Sequence, residues 1–236
     1  MNITDLKAVV WKESKEIMRS MKGVIILTIL TTNVLQYVTV APVINKTTMS
    51  DEMKAVQLSA LTMYLSVLVV LFLGHTFINR FLNDERKDRT IQTLLANGID
   101  QTSLWLGKMI VTVLYTFITL LLTIGLHILF IKVFFHLSIS FTTLTFILSF
   151  IGMPALGFGI LALLSTVYWY FNKVDIVSFL FPLVSYLGIW NLSIKLVDNF
   201  PTLMVLIISI IIGLCFIFAS LFIINKIPKE RIIGKV

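Results

Sequence analysis

The chain has 236 residues, 58% of them hydrophobic and only 13% charged, with a formal net charge of +7. Soluble domains average about 45–50% apolar and about 25% charged residues, so this composition excludes an ordinary soluble enzyme and describes a protein whose surface lies mostly in lipid. The basic residues form no single patch, which argues against a nucleic acid partner, and the lone Cys215 excludes a disulfide framework and a cysteine metal site; within its apolar run it is expected to be a small buried side chain.

Residues 1–22 read as an amphipathic helix opening at a Thr4 cap. Leu6, Val10, Ile17 and Met21 recur on one side, and Lys12, Lys15, Glu16, Arg19 and Lys22 occupy the rest. Such a helix is expected to lie in the membrane interface, its apolar face in lipid and its lysines near anionic headgroups. It is not read as a signal peptide: the apolar run behind it has the length of a full span, and no small-residue cleavage site follows.

A helix needs about 20 apolar residues to cross a hydrocarbon core of about 30 Å. Six stretches meet this within residues 23–236: Gly23–Asn45, Ala55–Asn79, Lys108–Phe135, Phe141–Phe171, Asp175–Ile194 and Phe200–Asn225. They are too long and too evenly apolar for the alternating strands of a barrel. The expected fold class is an all-α integral membrane protein: six transmembrane helices, the interfacial helix, and a short cytoplasmic helix between spans 2 and 3 in the polar segment 80–107.

Of the 19 Lys and Arg, only Lys46, Lys54, Lys132 and Lys195 fall on the outer side when the N-terminus is placed in the cytoplasm. The positive-inside bias therefore puts both termini in the cytoplasm of a multi-pass cell membrane protein. The outer loops are short, and the sequon NKT at 45–47 is discounted as a chance match. The stretch 187–203 is less apolar than its neighbours and is expected to bend or partly re-enter the membrane before Pro201 starts the last span. In the fourth span Pro154 is expected to kink the helix, while Gly152, Ala155, Gly157 and Gly159 allow neighbours to approach closely.

Catalytic chemistry is missing from the sequence. There is no H-E-x-x-H, no G-x-S-x-G and no G-x-x-x-x-G-K-[ST], so no metal site and no P-loop of the chain's own are expected. His75 and His127 are the buried ionisable candidates, and each reads as a hydrogen-bonded packing residue. No chain of Asp and Glu offers proton or sodium coupling.

The polar segment is patterned. In ERKDRTIQTLLA, residues 85–96, Ile91, Leu94 and Leu95 fall at i, i+3 and i+4, one face of a short helix. Gly98 is a natural stop, and Asp100 or Thr102 can cap the next helix. A free loop gains nothing from exposing three apolar side chains, so this face is expected to meet a cytoplasmic partner.

The segment resembles the cytoplasmic loop of type-2 ATP-binding-cassette (ABC) transporter permeases. In that family a Glu is followed by a Thr, a Leu-Leu pair, a turn and a Gly-Lys at the third span. Glu85, Thr90, Leu94, Leu95, Gly107 and Lys108 stand at those positions. Trp11, Lys12, Glu13 and Arg19 are similar to the family's interfacial helix. Two departures stand out: Arg89 replaces the usual Gly before the Thr, and Gly98 stands where Pro is common. The resemblance implies a coupling helix at 85–97 that contacts a separate nucleotide-binding ATPase through Arg86, Arg89, Thr90, Thr93, Leu94 and Asn97, with Glu85 anchoring it to neighbouring charges. It also implies two ATPase copies that bind ATP and Mg, a second permease chain (identical or a sibling), and a bacterial membrane lipid setting. With so few intramembrane charges, the cargo expected is hydrophobic or amphipathic: a peptide toxin or antimicrobial peptide, a lipid or a lipophilic drug, moved outward. A scaffold or sensor recruiting another cytoplasmic protein, and an ion-coupled carrier using His75 or His127, are the alternatives.

Overall fold

Asn2 opens the first helix, α1 (Ile3–Ser20): its backbone is extended and its side chain accepts the Thr4 N–H at 3.0 Å. The cap therefore lies two residues before the expected Thr4, which is already helical. A computed structural model describes residues 2–44, 50–137, 139, 141–170 and 202–228, and every element among them is helical. After α1 come α2 (Lys22–Ile44) and α3 (Asp51–Ile78), the latter running on through a π-helical turn, π1 (Asn79–Asp84), into the single turn α4 (Glu85–Lys87). Then follow α5 (Thr90–Ala96), α6 (Gln101–Phe135), α7 (Thr143–Ile147), a second π turn π2 (Leu148–Gly152), α8 (Met153–Tyr170) and α9 (Thr202–Lys226).

Among the described residues four stretches are long and apolar enough to cross a membrane: Gln57–Leu82, Gln101–Phe135, Thr143–Tyr170 and Leu203–Lys226. A fifth arises if α1 and the start of α2, bent by 67° between Ser20 and Lys22, count as one broken span. The expected span Asp175–Ile194, the sequon at 45–47 and nearly all of 187–203 lie outside the described residues.

The π2 turn has a local cause. Pro154 has no N–H to donate back along the helix, and its ring would crowd the carbonyl four residues earlier. The chain widens just before it, over Leu148–Gly152, and the stretch Thr143–Tyr170 continues as one span.

Helix α3 is the most enclosed span and lies against α2, α6 and α8, while α9 packs chiefly on α8. The α8–α9 contact is backbone on backbone. A Cβ on Gly159 would stand 2.6 Å from the Gly213 carbonyl oxygen, and one on Gly213 would collide with the Ala155 carbonyl. Gly157 likewise admits Val70, so the small residues of this stretch serve close packing. Because α9 uses only that one side, Cys215 is exposed on its outer face rather than buried as expected.

The apolar side of α1 also faces differently from expectation. Ile17 and Met21 are buried and Leu6 and Val10 half-buried, packed on the protein instead of in lipid. The reason lies in α6. At 1.5 Å per residue its 35 residues span about 52 Å, well over a hydrocarbon core of about 30 Å. Its large exposed apolar side chains begin at Ile110 and end at Phe134. The preceding turns extend beyond that stripe and give α1 a protein surface to cover.

Candidate functional site

The N-terminal turns of α6 gather the other elements. Asp100 caps the helix by accepting the Ser103 N–H at 2.9 Å, and its own N–H donates to the Asp5 carboxylate of α1 at 3.2 Å. The Ser103 hydroxyl accepts the Asn2 N–H at 2.9 Å. On the other side the Gln101 side chain donates to the Ile224 carbonyl at 3.0 Å, and Thr102 donates to Asn225 at 2.6 Å, holding the end of α9. One turn up, the Trp105 indole N–H donates to Ser165 of α8 at 2.8 Å.

Gly107 then lets α1 come close, since a Cβ there would lie 2.6 Å from Val9 Cγ1. The next residue, Lys108, is 2% exposed, and its ammonium lies 2.7 Å from Glu13 Oε1 and 2.7 Å from Glu85 Oε2. Lys12 completes the cluster, 2.7 Å from Glu85 Oε1 and 3.3 Å from Glu13 Oε1. The Phe81 ring covers it, its centroid 5.4 Å from the Lys108 ammonium. At the rim Arg80 of π1 reaches Glu16 of α1 at 3.5 Å. One buried lysine thus joins α1, the start of the polar segment and α6.

The electrostatics are uneven. Burial raises the Glu13 carboxyl above its ordinary range against the pull of Lys108 and Lys12, and its second oxygen has no hydrogen-bond partner among the described residues. Burial would raise Glu85 too, but Lys108 and Lys12 together outweigh it and hold Glu85 below its usual value. Lys12 is likewise raised: burial works against its charge, and Glu85 and Glu13 more than offset that. Glu13, Glu16 and Glu85 bring carboxylate oxygens within 4.8 Å of one another, the spacing of a cation site. Here Lys108, Lys12 and Arg80 already supply the positive charge, so the cluster is built for internal ion pairs.

The polar segment itself divides into an inner and an outer face. The helix expected over 85–97 is broken, because Arg89 takes left-handed backbone (φ 60°) and α5 starts only at Thr90. It ends in a Schellman motif: Gly98 (φ 88°) donates to the Leu95 carbonyl at 3.2 Å and Ile99 to the Leu94 carbonyl at 3.2 Å. Ile91 and Leu95 are 2% and 3% exposed and belong to the main core, with Leu94 half-buried beside it. The expectation that Ile91, Leu94 and Leu95 together meet a partner is thus overturned: two of them are buried in the protein's own main hydrophobic core, where removal from water repays their placement. Lys87, Asp88, Arg89, Thr93, Ala96 and Asn97 are exposed and Thr90 is half-buried. The side chain of Arg86 lies outside the described residues. On α1, Trp11 and Arg19 face outward while Lys12 and Glu13 enter the cluster.

Of the two candidate histidines, His75 places its Nε2 3.2 Å from the Tyr168 hydroxyl. His127 is buried, and its Nε2 has no partner among the described residues. Sequence reasoning placed Lys108 at a span end as an orientation charge and missed its buried pairing. The available signal was the Gly-Lys pair itself, a small residue admitting a helix beside a cation at the membrane edge.

Residues 11–189 match the family model described as ABC-2 family transporter protein, covering more than half of the chain and including both Glu13 and Glu85. No curated protein and no solved structure matches the chain.

Proposed function

Because the chain belongs to the ABC-2 transporter family, as a permease subunit working with an ATPase partner, we propose that it is the membrane half of an exporter driven through the outer face of α5. In this reading Arg86, Arg89, Thr90, Thr93, Leu94 and Asn97 touch the ATPase, which binds ATP and Mg in two copies. Ile91 and Leu95 root the segment in the permease. A second permease chain, identical or a sibling, completes the path in the cell membrane of a bacterium, with both termini in the cytoplasm. The cargo is hydrophobic or amphipathic, a peptide, lipid or lipophilic drug, in keeping with the scarcity of intramembrane charge.

One observation carries the reading: Lys108 bridges Glu85 beside α5 to Glu13 on α1 at 2.7 Å on each side. A displacement of the surface segment is thereby passed at once to a membrane-crossing helix and to α1. The test is cross-linking from Thr93→Cys in a Cys215→Ser background, in native membranes, with adducts identified by mass. A P-loop ATPase joined through residue 93 supports the proposal. A partner without a P-loop refutes it in favour of a scaffold.

A further inference from the structure

One side of the span α6 is polar along most of its length. At 3.6 residues per turn, Lys108, Thr112, Thr116, Thr119, Thr123 and His127 fall within an arc of about 100° and rise about 28 Å, close to the thickness of a hydrocarbon core. None is more than 2% exposed. The helices facing this stripe are polar at the same heights. Phe81 covers Lys108, and Leu58, Val40 and Ile131 share one small cluster. Leu58 and Phe81 are 23 positions apart, as are Lys108 and Ile131, so α3 and α6 run antiparallel and in step. That register sets Thr62 about level with His127 and Ser66 about level with Thr123. Helix α2 runs parallel to α6, with Val24 near Val111 at one end and Val40 near Ile131 at the other. Counting back from Val40 sets Thr32 about level with Thr123 and Thr28 with Thr119. All four are buried.

These hydroxyls do not tie the helices together. Thr112, Thr119 and Thr123 donate to the carbonyls of Lys108, Tyr115 and Thr119 at 2.8–2.9 Å. Thr28, Thr32, Thr62 and Ser66 likewise donate to carbonyls of their own helices. Each has thereby spent its one proton and shows the seam an oxygen that can only accept. Two atoms on the stripe stand apart: Thr116 Oγ1 and His127 Nε2 are buried and have no hydrogen-bond partner among the described residues. Inside a membrane-spanning bundle such atoms are costly to leave unbonded.

We infer that the seam between α2, α3 and α6 binds a file of buried water. Successive residues of the stripe, three or four positions apart, are separated by about 4.5–6 Å along the axis. That is too far for a direct hydrogen bond, but one water spans it with two bonds of about 2.8 Å. A wall of acceptors calls for a ligand that donates, and water brings two protons. It also serves His127 in either tautomer, donating to Nε2 or accepting from it. A cation is the poorer occupant, because the stripe beyond Lys108 holds no carboxylate and the Lys108 ammonium closes one end. A wet seam also suits a helix that moves with Lys108: bridging waters re-form in a new register, whereas direct side-chain pairs would have to be broken.

The test is X-ray radiolytic footprinting of the full chain in lipid nanodiscs. Radiolysis makes hydroxyl radicals from bound waters in place, so it labels side chains beside them even where bulk solvent does not reach. Leu161 of α8, 0% exposed and packed over Gly74 of α3, is the dry reference. Normalised to intrinsic reactivity, His127 should be labelled at least about fivefold faster than Leu161, yet resist diethylpyrocarbonate added to the bulk. The double variant Thr116→Val, Thr123→Val keeps the shape of the wall and removes two hydroxyls, and His127 labelling should fall at least about threefold. Labelling of native His127 no faster than that of Leu161 overturns the inference, because its ring is then met by protein alone. So does ready modification by diethylpyrocarbonate, which places His127 in bulk solvent, and so does undiminished labelling in the folded double variant. Should that variant fail to fold, the two measurements on the native chain decide. None of these readings involves an ATPase, so their failure is distinct from a failure of the proposed coupling.

Discussion

The ammonium of Lys108 and the carboxylate of Glu13 lie 2.7 Å apart with both side chains sealed from solvent, at 2% and 0% exposure. Each charge is affordable there only because the other is present. Removing one partner of a buried pair costs about 3–5 kcal/mol, since the survivor stays desolvated and unmatched. Lys108→Met should therefore lower the thermal midpoint of the purified protein sharply. Adding Glu13→Gln and Glu85→Gln to it should recover much of the loss, because no buried charge is then stranded. A triple variant as unstable as Lys108→Met alone would mean that the lysine acts through packing and not through its charge.

The two carboxylates should respond differently to neutralisation. Glu13 is raised above its ordinary value of 4.5 by burial, so its charge is held less favourably in the fold than in water; because Lys108 would still keep Glu85 as a partner, Glu13→Gln should cost less than Glu85→Gln. Glu85 is lowered by Lys108 and Lys12 against its burial, and Glu85→Gln should cost about 3 kcal/mol. The pH signs follow. The Glu85 contribution is fully present above pH 4.5 and is lost as pH falls through its depressed value. Glu13 acts oppositely: as pH falls through its raised value the folded state takes the proton first, and stability gains. Melting curves of the native chain and both variants from neutral to acid pH check this. The gap between native and Glu85→Gln should close only below pH 4.5, and equal damage from the two variants at neutral pH would contradict the assignment.

The contrast between Leu95 and Glu85 shows how far the sequence could be read. The i, i+3, i+4 spacing of Ile91, Leu94 and Leu95 correctly marked a short helix, and Gly98 and Asp100 marked its end and the next start. Periodicity identifies an apolar face but not what covers it, so Ile91 and Leu95 were assigned to a partner when the chain's own core takes them. The same blindness affected Leu6, Val10, Ile17 and Met21 on α1. Glu85 and Lys108 are 23 positions apart, and Glu13 lies 95 positions from Lys108. No local pattern links residues at such separations; it is the packing of α1 along α6 that brings Glu13 to Lys108.

That packing depends on Gly107. A Cβ at 107 would stand 2.6 Å from Val9 Cγ1 and 2.8 Å from Val9 Cβ, so Gly107→Ala must push α1 outward. Overpacking of this kind costs about 1–3 kcal/mol, and it should also lengthen the Glu13–Lys108 contact one residue away. Val9→Ala in the Gly107→Ala background removes the closer clash but leaves Val9 Cβ, so it should restore only part of the stability. Proteolysis after α1 in native membranes reads the displacement directly: faster release of α1 in Gly107→Ala, slowed again in the double variant. A single variant as resistant as the native chain would show that α1 can shift without loss.

Arg89 is the position where backbone preference and charge pull apart. Its φ of 60° suits glycine, and holding an L-residue there costs about 1–2 kcal/mol. Substituting glycine relieves that strain but frees the unfolded chain, a penalty of about 0.5–1 kcal/mol. Arg89→Gly should thus stabilise the protein by roughly 0.5–1 kcal/mol, seen as a rise of about 2–3 °C in the thermal midpoint. Arg89→Asn tolerates the same backbone and should act in the same direction with a smaller effect. Both remove a cation from the exposed face of the polar segment, so the Thr93→Cys cross-link to the ATPase should weaken in both even as the melting point rises. If the midpoint rises and cross-linking is unchanged, Arg89 makes no contact with the ATPase. If the midpoint falls, the left-handed backbone at 89 is held by the arginine side chain itself and not imposed on it.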